Sequence, residues 1–198
     1  MSSSSPERGG DRRTLIADSA IDLVAAVGLR GLTHRAVDGA AGLPAGSTSY
    51  YFRTRTALIG ACYARLAELD LGDFDGGAPP SPADRDAVAA AVAALLHRWL
   101  TTGRSRQLAR FELSLEAARN PELATELHRA GRGSRERAAG ILAALGAARP
   151  AESAELLVAW TDGLLYDRLA GAPARTRPAP DPAELKTVAR RMIDAVLA

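Results

Sequence analysis

The sequence predicts an all-α protein, with an N-terminal three-helix head of helix-turn-helix type and a C-terminal helical bundle. Three observations carry that prediction. Apolar residues recur at three- and four-residue spacing along most of the chain, the period of an amphipathic helix. No segment alternates strictly, as a half-buried strand would. Aromatics make up only 5% of the 198 residues and alanine is abundant, a mix that favours helices packed closely over small side chains and not a β-sandwich. The apolar fraction of 47% is that of an ordinary globular core.

Residues 1–10 are serine, glycine and charge and read as a disordered tail. Asp11 is then a plausible N-cap for a first helix in which Ile16, Ala20, Leu23, Val24 and Val27 share a face and Gly28 stops the chain. Thr33 is a good N-cap for a short second helix, whose inner face would be Val37 and Ala40, with Leu43 plugging the following turn into the core. Gly42-Leu43-Pro44 breaks that helix. A third can restart near Ala45 and run to Tyr51, and Thr54 can cap a fourth with Leu58, Cys62, Leu66 and Leu69 on one stripe. The stretch 70–82, DLGDFDGGAPPSP, reads as a loop and as the best domain boundary in the chain. Beyond it five more helices are expected, at about 83–102, 105–119, 121–145, 150–171 and 182–198. Gly103, Asn120-Pro121, Gly146 with Pro150, and the segment 171–182 separate them. The domain plan is therefore 1–10 tail, 11–60 head and 61–198 C-terminal domain.

Several function classes are disfavoured. No run of about 18 apolar residues exists to span a membrane, and the first residues lack the apolar core of a secretory signal. Cys62 is the single cysteine, which rules out an intrachain disulfide and a cysteine-based zinc site. His34, His97 and His128 have no metal-ligand spacing to one another. Asp70, Asp73 and Asp75 miss the spacing of a calcium loop and lack its distal glutamate. The expectation is a cytoplasmic protein with no cofactor, no metal and no membrane partner. Glu112, Glu116 and Asp162 form no recognisable acid–base arrangement, so an all-α enzyme is disfavoured.

The net charge of +2 says little, but its distribution says more. Between residues 30 and 55 stand Arg30, Arg35, Arg53 and Arg55 with His34, against the single acid Asp38. This balance suits a surface that faces phosphates. Two short helices joined by a glycine-containing turn can cross at an angle that places the second in a DNA major groove. Ser47, Thr48 and Tyr51 would then lie on its exposed face, with Ala45 near its N-terminus, and small hydroxyl side chains there can reach base edges or phosphates without needing room. Tyr50, Tyr51, Arg53 and Arg55 at its C-terminal end would bond phosphate oxygens. Thr33, His34 and Arg35 at the start of the second helix, and the helix N-terminus at Thr54, complete the candidate DNA-binding set.

The run Gly42-Leu43-Pro44-Ala45-Gly46-Ser47-Thr48-Ser49-Tyr50-Tyr51-Phe52-Arg53-Thr54-Arg55-Thr56-Ala57-Leu58 resembles the signature of the TetR family of transcriptional regulators, and Gly28 to Thr33 matches that family's approach to its second helix. The resemblance covers about 12–60. It implies a homodimeric repressor that binds a palindromic operator in double-stranded DNA and is released by a small-molecule effector. It also implies roles by position: Gly46 allows close helix packing, Phe52 anchors the motif, Arg55 replaces a phosphate-contacting lysine, and Thr54 caps the fourth helix. Pro44 stands where the family often has a capping serine, and Ser49 where its first tyrosine usually stands.

In the C-terminal part, Val88, Val92, Leu95, Leu96 and Trp99, then Leu108, Phe111 and Leu115, then Leu156, Leu157, Trp160, Leu164 and Leu165 form stripes that are first of all core. A cavity between bundle helices would place a binding site there, and Trp99, Phe111, Glu112, Trp160 and Tyr166 are the candidate effector contacts, with Gly163 leaving room. The terminal stripe of Leu185, Val188, Ala189, Met192, Ile193 and Val196 must be covered. With the helix at 150–171, the helix at 182–198 is expected to form an isologous four-helix dimer interface. The alternative reading is an all-α small-molecule-binding or adaptor protein without DNA-binding activity.

Overall fold

The computed structural model describes residues 6–75 and 84–198, and among them it is all-helical, without strands. The helices are α1 (Pro6–Val27), α2 (His34–Ala40), α3 (Ser47–Tyr51), α4 (Arg55–Asp75), α5 (Arg85–Leu100), α6 (Arg104–Ala117), α7 (Pro121–Ala144), α8 (Pro150–Leu169) and α9 (Pro182–Leu197), with a 3-10 turn at Leu29–Gly31. Two bounds differ from expectation. The first helix begins at Pro6, so Asp11 lies inside it and caps nothing; proline suits a first helical turn, where its missing N–H costs no bond. The fourth helix continues through Asp70 and Asp73 to Asp75, and the rest of the expected 70–82 loop lies outside the described residues.

The chain forms two compact units, one of residues through Glu68 together with Leu108–Ala130, the other of Leu69–Gln107 together with Gly131–Ala198. The first unit takes in more than the 11–60 stretch, because parts of α6 and α7 belong to it. Its core is Ile16, Ala20, Ile21 and Val24 of α1, Leu32, Val37, Phe52, and Leu58, Ile59, Cys62, Tyr63 and Leu66 of α4, closed by Ala109, Leu113 and Ala117 of α6 and Leu123 of α7. The buried stripe of α6 is therefore not the expected Leu108, Phe111 and Leu115: Leu108 and Phe111 are half-buried and Leu115 is exposed. Ala109 and Ala117, on either side of Leu113 along one stripe, let α6 approach closely, and the Tyr63 hydroxyl donates to the Leu113 carbonyl at 2.8 Å across that contact. Burial, then the nearby Cys62 and Glu116, push Tyr63 up to about 12. Val27 and Ala40, expected inside, are exposed, whereas Leu43 packs against the cluster as expected.

In the second unit α9 lays Leu185, Ala189, Met192, Ile193 and Val196 into its own chain, with α5 as its main neighbour and α8 beside it. Ser153 of α8 donates to the Val196 carbonyl at 2.8 Å. The acidic residues at the end of α4 serve packing: Asp73 accepts from the Trp99 indole N–H at 2.8 Å and pairs with Arg98 and Arg106. Burial raises the Asp73 pKa, but these donors outweigh it and hold the carboxyl below its ordinary value. Among the described residues no group of side chains is arranged to hold a metal ion, and no helix is long and apolar enough to cross a membrane.

Candidate nucleic-acid interface

Thr33 starts the interface as a true N-cap. Its extended backbone turns the chain into α2 and its Oγ1 accepts the Ala36 N–H at 3.1 Å, satisfying one of the helix's unpaired donors. Gly42 closes α2 with φ +64°. The next helix, α3, has only five residues, far below the length that holds together in water by itself. Its stability has to come from tertiary contacts.

Those contacts converge on Asp38, which is buried. One carboxylate oxygen accepts the Gly46 N–H at 2.8 Å; the other accepts the Thr48 N–H at 2.7 Å and the Thr48 hydroxyl at 2.6 Å. A charged side chain from α2 thus caps the N-terminus of α3, where the helix's partial positive charge favours an anion. This answers the question raised by Pro44: the missing cap hydroxyl is replaced from another helix. Pro44 contributes its carbonyl instead, which accepts from both the N–H and the hydroxyl of Ser47. Burial raises the Asp38 pKa, yet the hydrogen bonds from Thr48 and Gly46, with His34 nearby, outweigh it and leave the carboxyl below its ordinary 3.8. It is ionised at neutral pH.

Gly46 is needed for its backbone, not for close packing. It holds φ +90° immediately before α3, a region open to glycine at little steric cost, and an added Cβ would meet nothing within 4 Å. Phe52 ends α3 and anchors it in the core as expected, its N–H bonded to the Thr48 carbonyl at 2.8 Å. His34 Nε2 lies 2.7 Å from the Phe52 carbonyl, which requires the tautomer with the proton on that nitrogen. Arg13 of α1 stacks on the rings of Tyr51 and Phe52. Thr54 caps α4 as expected, accepting the Ala57 N–H at 3.0 Å.

The predicted DNA-binding residues therefore separate into two groups. Thr48 is fully buried and bonded to Asp38, so its expected exposure is corrected: it lies on the face of α3 that turns toward the α2 carboxylate. Arg55 turns back onto the head, its guanidinium donating to the carbonyls of Leu29 at 2.7 Å and of Leu32. Glu112 of α6 accepts the Leu29 N–H at 3.2 Å, so the 3-10 turn is held from two helices. Arg55 and His34 are thus engaged in positioning the motif. Thr33, Arg35, Ala45, Tyr50, Arg53 and Thr54 are exposed, with Tyr50 at 79%; Ser47 and Tyr51 are half-buried. Tyr50 meets Tyr51 edge-on, at 5.1 Å between ring centroids. Arg35 and Arg53 carry no ion pair among the described residues. Two residues escaped the sequence reading: Asp38, an acid in a basic window, and Ser49, which is exposed on α3.

The five candidate effector contacts are divided between the two units. Phe111 and Glu112 belong to the first unit, Trp99, Trp160 and Tyr166 to the second. Trp99 is buried with its indole N–H on Asp73, Trp160 and Tyr166 are exposed on α8, and Glu112 is occupied by Leu29. Leu156, expected in the core, is exposed as well.

A family model described as the C-terminal domain of tetracyclin repressor-like proteins matches residues 83–198. The chain belongs to the TetR family of transcriptional regulators. Solved structures agree across nearly its full length. A TetR-family member from Streptomyces coelicolor A3 is 29% identical, with 92% of this chain and 98% of that one covered and a TM-score of 0.69. The multidrug binding protein EbrR, complexed with ethidium, is 28% identical over 91% of this chain and 98% of its own, with a TM-score of 0.70. A Rhodococcus sp. TetR-family regulator superposes with a TM-score of 0.75 over 96% of this chain and 100% of that one, at 20% identity, which speaks for the fold alone. No curated protein matches the sequence. As a TetR-family protein, this chain is a transcriptional regulator.

Proposed function

We propose that the protein is a dimeric repressor that binds a palindromic operator through α3 and is released by a small-molecule effector bound in its C-terminal bundle. The single observation that supports this most is the Asp38 clamp. A buried carboxylate fixes a five-residue helix that has no means of its own to stay folded, while Ser49, Tyr50 and Arg53 remain exposed on and just beyond it. A preorganised short helix is what groove insertion requires. In this reading Ala45, Ser47, Ser49 and Tyr50 approach base edges. Thr33, Arg35, Tyr51, Arg53 and Thr54 contact phosphates and set register. Thr48, His34 and Arg55 act through the motif's geometry.

For the dimer, α8 is the candidate surface. Leu156, Trp160 and Tyr166 are 50%, 40% and 51% exposed on it, and large exposed apolar groups at helical spacing mark an interaction face. The apolar stripe of α9 is covered within its own chain, so α9 would contribute its polar face to an isologous contact and not the stripe. For the effector, Gln107 is a stronger candidate than the five residues read from the sequence. It is fully buried, and neither amide atom has a hydrogen-bond partner among the described residues. A buried amide needs a partner, and a ligand or water in the bundle would supply one. Release follows if the effector favours a conformation that spaces the two heads wrongly for one operator, which requires different affinity for the two states.

A gel shift with the region upstream of the protein's own gene tests the proposal. The wild type is expected to shift that duplex at submicromolar concentration and the Arg53→Ala variant markedly less well. Absence of a shift at low salt, with no difference between the two, would overturn the DNA-binding role.

A further inference from the structure

The second unit holds a cleft of about 140 Å³ whose lining includes three arginines, Arg104 at the start of α6, Arg168 near the end of α8 and Arg177 beyond it, with Leu100, Pro178 and Pro180 among the apolar walls. We propose that this cleft binds a small oxyanion, a carboxylate or a phosphate of roughly five to eight heavy atoms, near the size class set by the ~150 Å³ cavity that takes a benzene-sized guest. It is too small for the ligands that fill drug-sized pockets of roughly 300–1,000 Å³.

Charge supports the assignment. Arg168 pairs with Glu184 at 2.5 Å and Arg177 with Asp167 at 2.5 Å, while Arg104 donates to the Leu169 carbonyl at 3.1 Å. Two carboxylates against three guanidinium groups leave one positive charge over. Donors are also in surplus. A guanidinium carries five N–H groups in a fixed fork, and each of these contacts engages one terminal nitrogen. Arg168 is the telling member. Its side chain is 7% exposed, it lines the cleft, and its Nε is buried without a hydrogen-bond partner. Glu184 offsets the cost of holding this cation so deeply, but with two further guanidinium groups on the same cleft one positive charge stays uncompensated, and an added anion would be stabilised there. Planar two-oxygen anions match the arginine fork, whereas an organic cation would be repelled.

Bound there, an oxyanion would tie the first turn of α6 to the end of α8 and to the 174–180 segment, all within the second unit. The inference does not depend on DNA binding and is tested without DNA.

Titration calorimetry of the full chain with inorganic phosphate, and separately with succinate, at constant ionic strength is the experiment. Saturable binding of either is expected, with a dissociation constant on the order of 0.1–1 mM, together with a rise in melting temperature. The anion that binds more tightly identifies the class. Arg168→Gln risks misfolding because that side chain is buried, so the decisive variants are the more accessible Arg104→Gln and Arg177→Gln. Each is expected to weaken binding about tenfold or more, the effect of removing a charge-assisted hydrogen bond, with the circular-dichroism spectrum unchanged. The Arg119→Gln variant, at an exposed arginine outside the cleft, is expected to bind as the wild type does. No saturable binding of either anion overturns the proposal. So does binding that survives in both cleft variants or is lost in Arg119→Gln.

Discussion

Replacing Asp38 by asparagine changes one atom and tests the geometry on which α3 depends. In the wild type one carboxylate oxygen accepts two hydrogen bonds from Thr48 and the other accepts one from Gly46. Asparagine can keep its carbonyl on the Thr48 side, but its NH₂ then faces the Gly46 N–H, donor against donor. The orphaned amide costs about 1–3 kcal/mol, and the two surviving bonds lose their charge assistance for about 1 kcal/mol more. The sum is a local penalty of about 2–4 kcal/mol, where each 1.4 kcal/mol is a factor of ten. Because α3 has no intrinsic helical stability, this penalty falls on the binding-competent conformation. Fluorescence anisotropy with a labelled upstream duplex should show affinity weakened by about thirtyfold to several hundredfold, and urea unfolding should show a lower midpoint. The pH dependence follows from the sign of the shift. The folded-state pKa of Asp38 lies below the ordinary 3.8, so its stabilisation is complete above the unfolded value and lost as pH falls through the folded one. The stability gap between wild type and D38N should be flat from roughly pH 5 to 8 and close below about pH 4. D38N that binds DNA within twofold of wild type, with an unchanged urea midpoint, would refute the reasoning.

Burial, with Asp18 adding to it, pushes the Cys62 thiol up to about 12, so the native protein should not react with a thiol reagent at pH 8, and one thiol per chain should appear on denaturation; rapid native labelling would contradict the buried placement. Tyr63→Phe removes the bond to the Leu113 carbonyl and should lower unfolding stability by about 1 kcal/mol in urea, with no direct effect expected on the exposed residues of α3. Changing Leu156 and Trp160 together to glutamate should convert a dimer to a monomer at micromolar concentration by sedimentation while leaving helix content intact; a dimer that persists would exclude α8 as the interface.

Much of this was legible in the sequence, and the parts that were not have physical causes. The caps Thr33 and Thr54, the break at Gly42, and the core residues Ile16, Val24, Val37, Phe52, Leu58, Cys62 and Leu66 follow from local chemistry and helical period. The stripe of α6 does not, because that helix carries two. Leu108, Phe111 and Leu115 are more hydrophobic, but Ala109 and Ala117 flanking Leu113 allow the closer approach, and burial went to that stripe. The same ambiguity affects α8, where apolar residues surround the helix and the sequence alone does not say which side meets its own chain. At the candidate interface, residue types did not disclose each side chain's direction. Thr48 and Arg55 are drawn inward by partners on other elements, Asp38 and the carbonyls of Leu29 and Leu32. Asp38 went unread for the same reason: its significance is a contact eight and ten residues away. Of the residues proposed for the effector, Trp99 and Glu112 are held by local partners, Asp73 and Leu29, that residue type alone does not disclose.

Hydroxyl-radical footprinting of the upstream region puts the groove-binding claim to its sharpest trial. Two protected patches related by symmetry, with centres one helical turn (about 34–36 Å) or a multiple of it apart, and both weakened together in the Tyr50→Ala variant, are the predicted result. Uniform cleavage at every protein concentration, or protection that Tyr50→Ala leaves untouched, would contradict it.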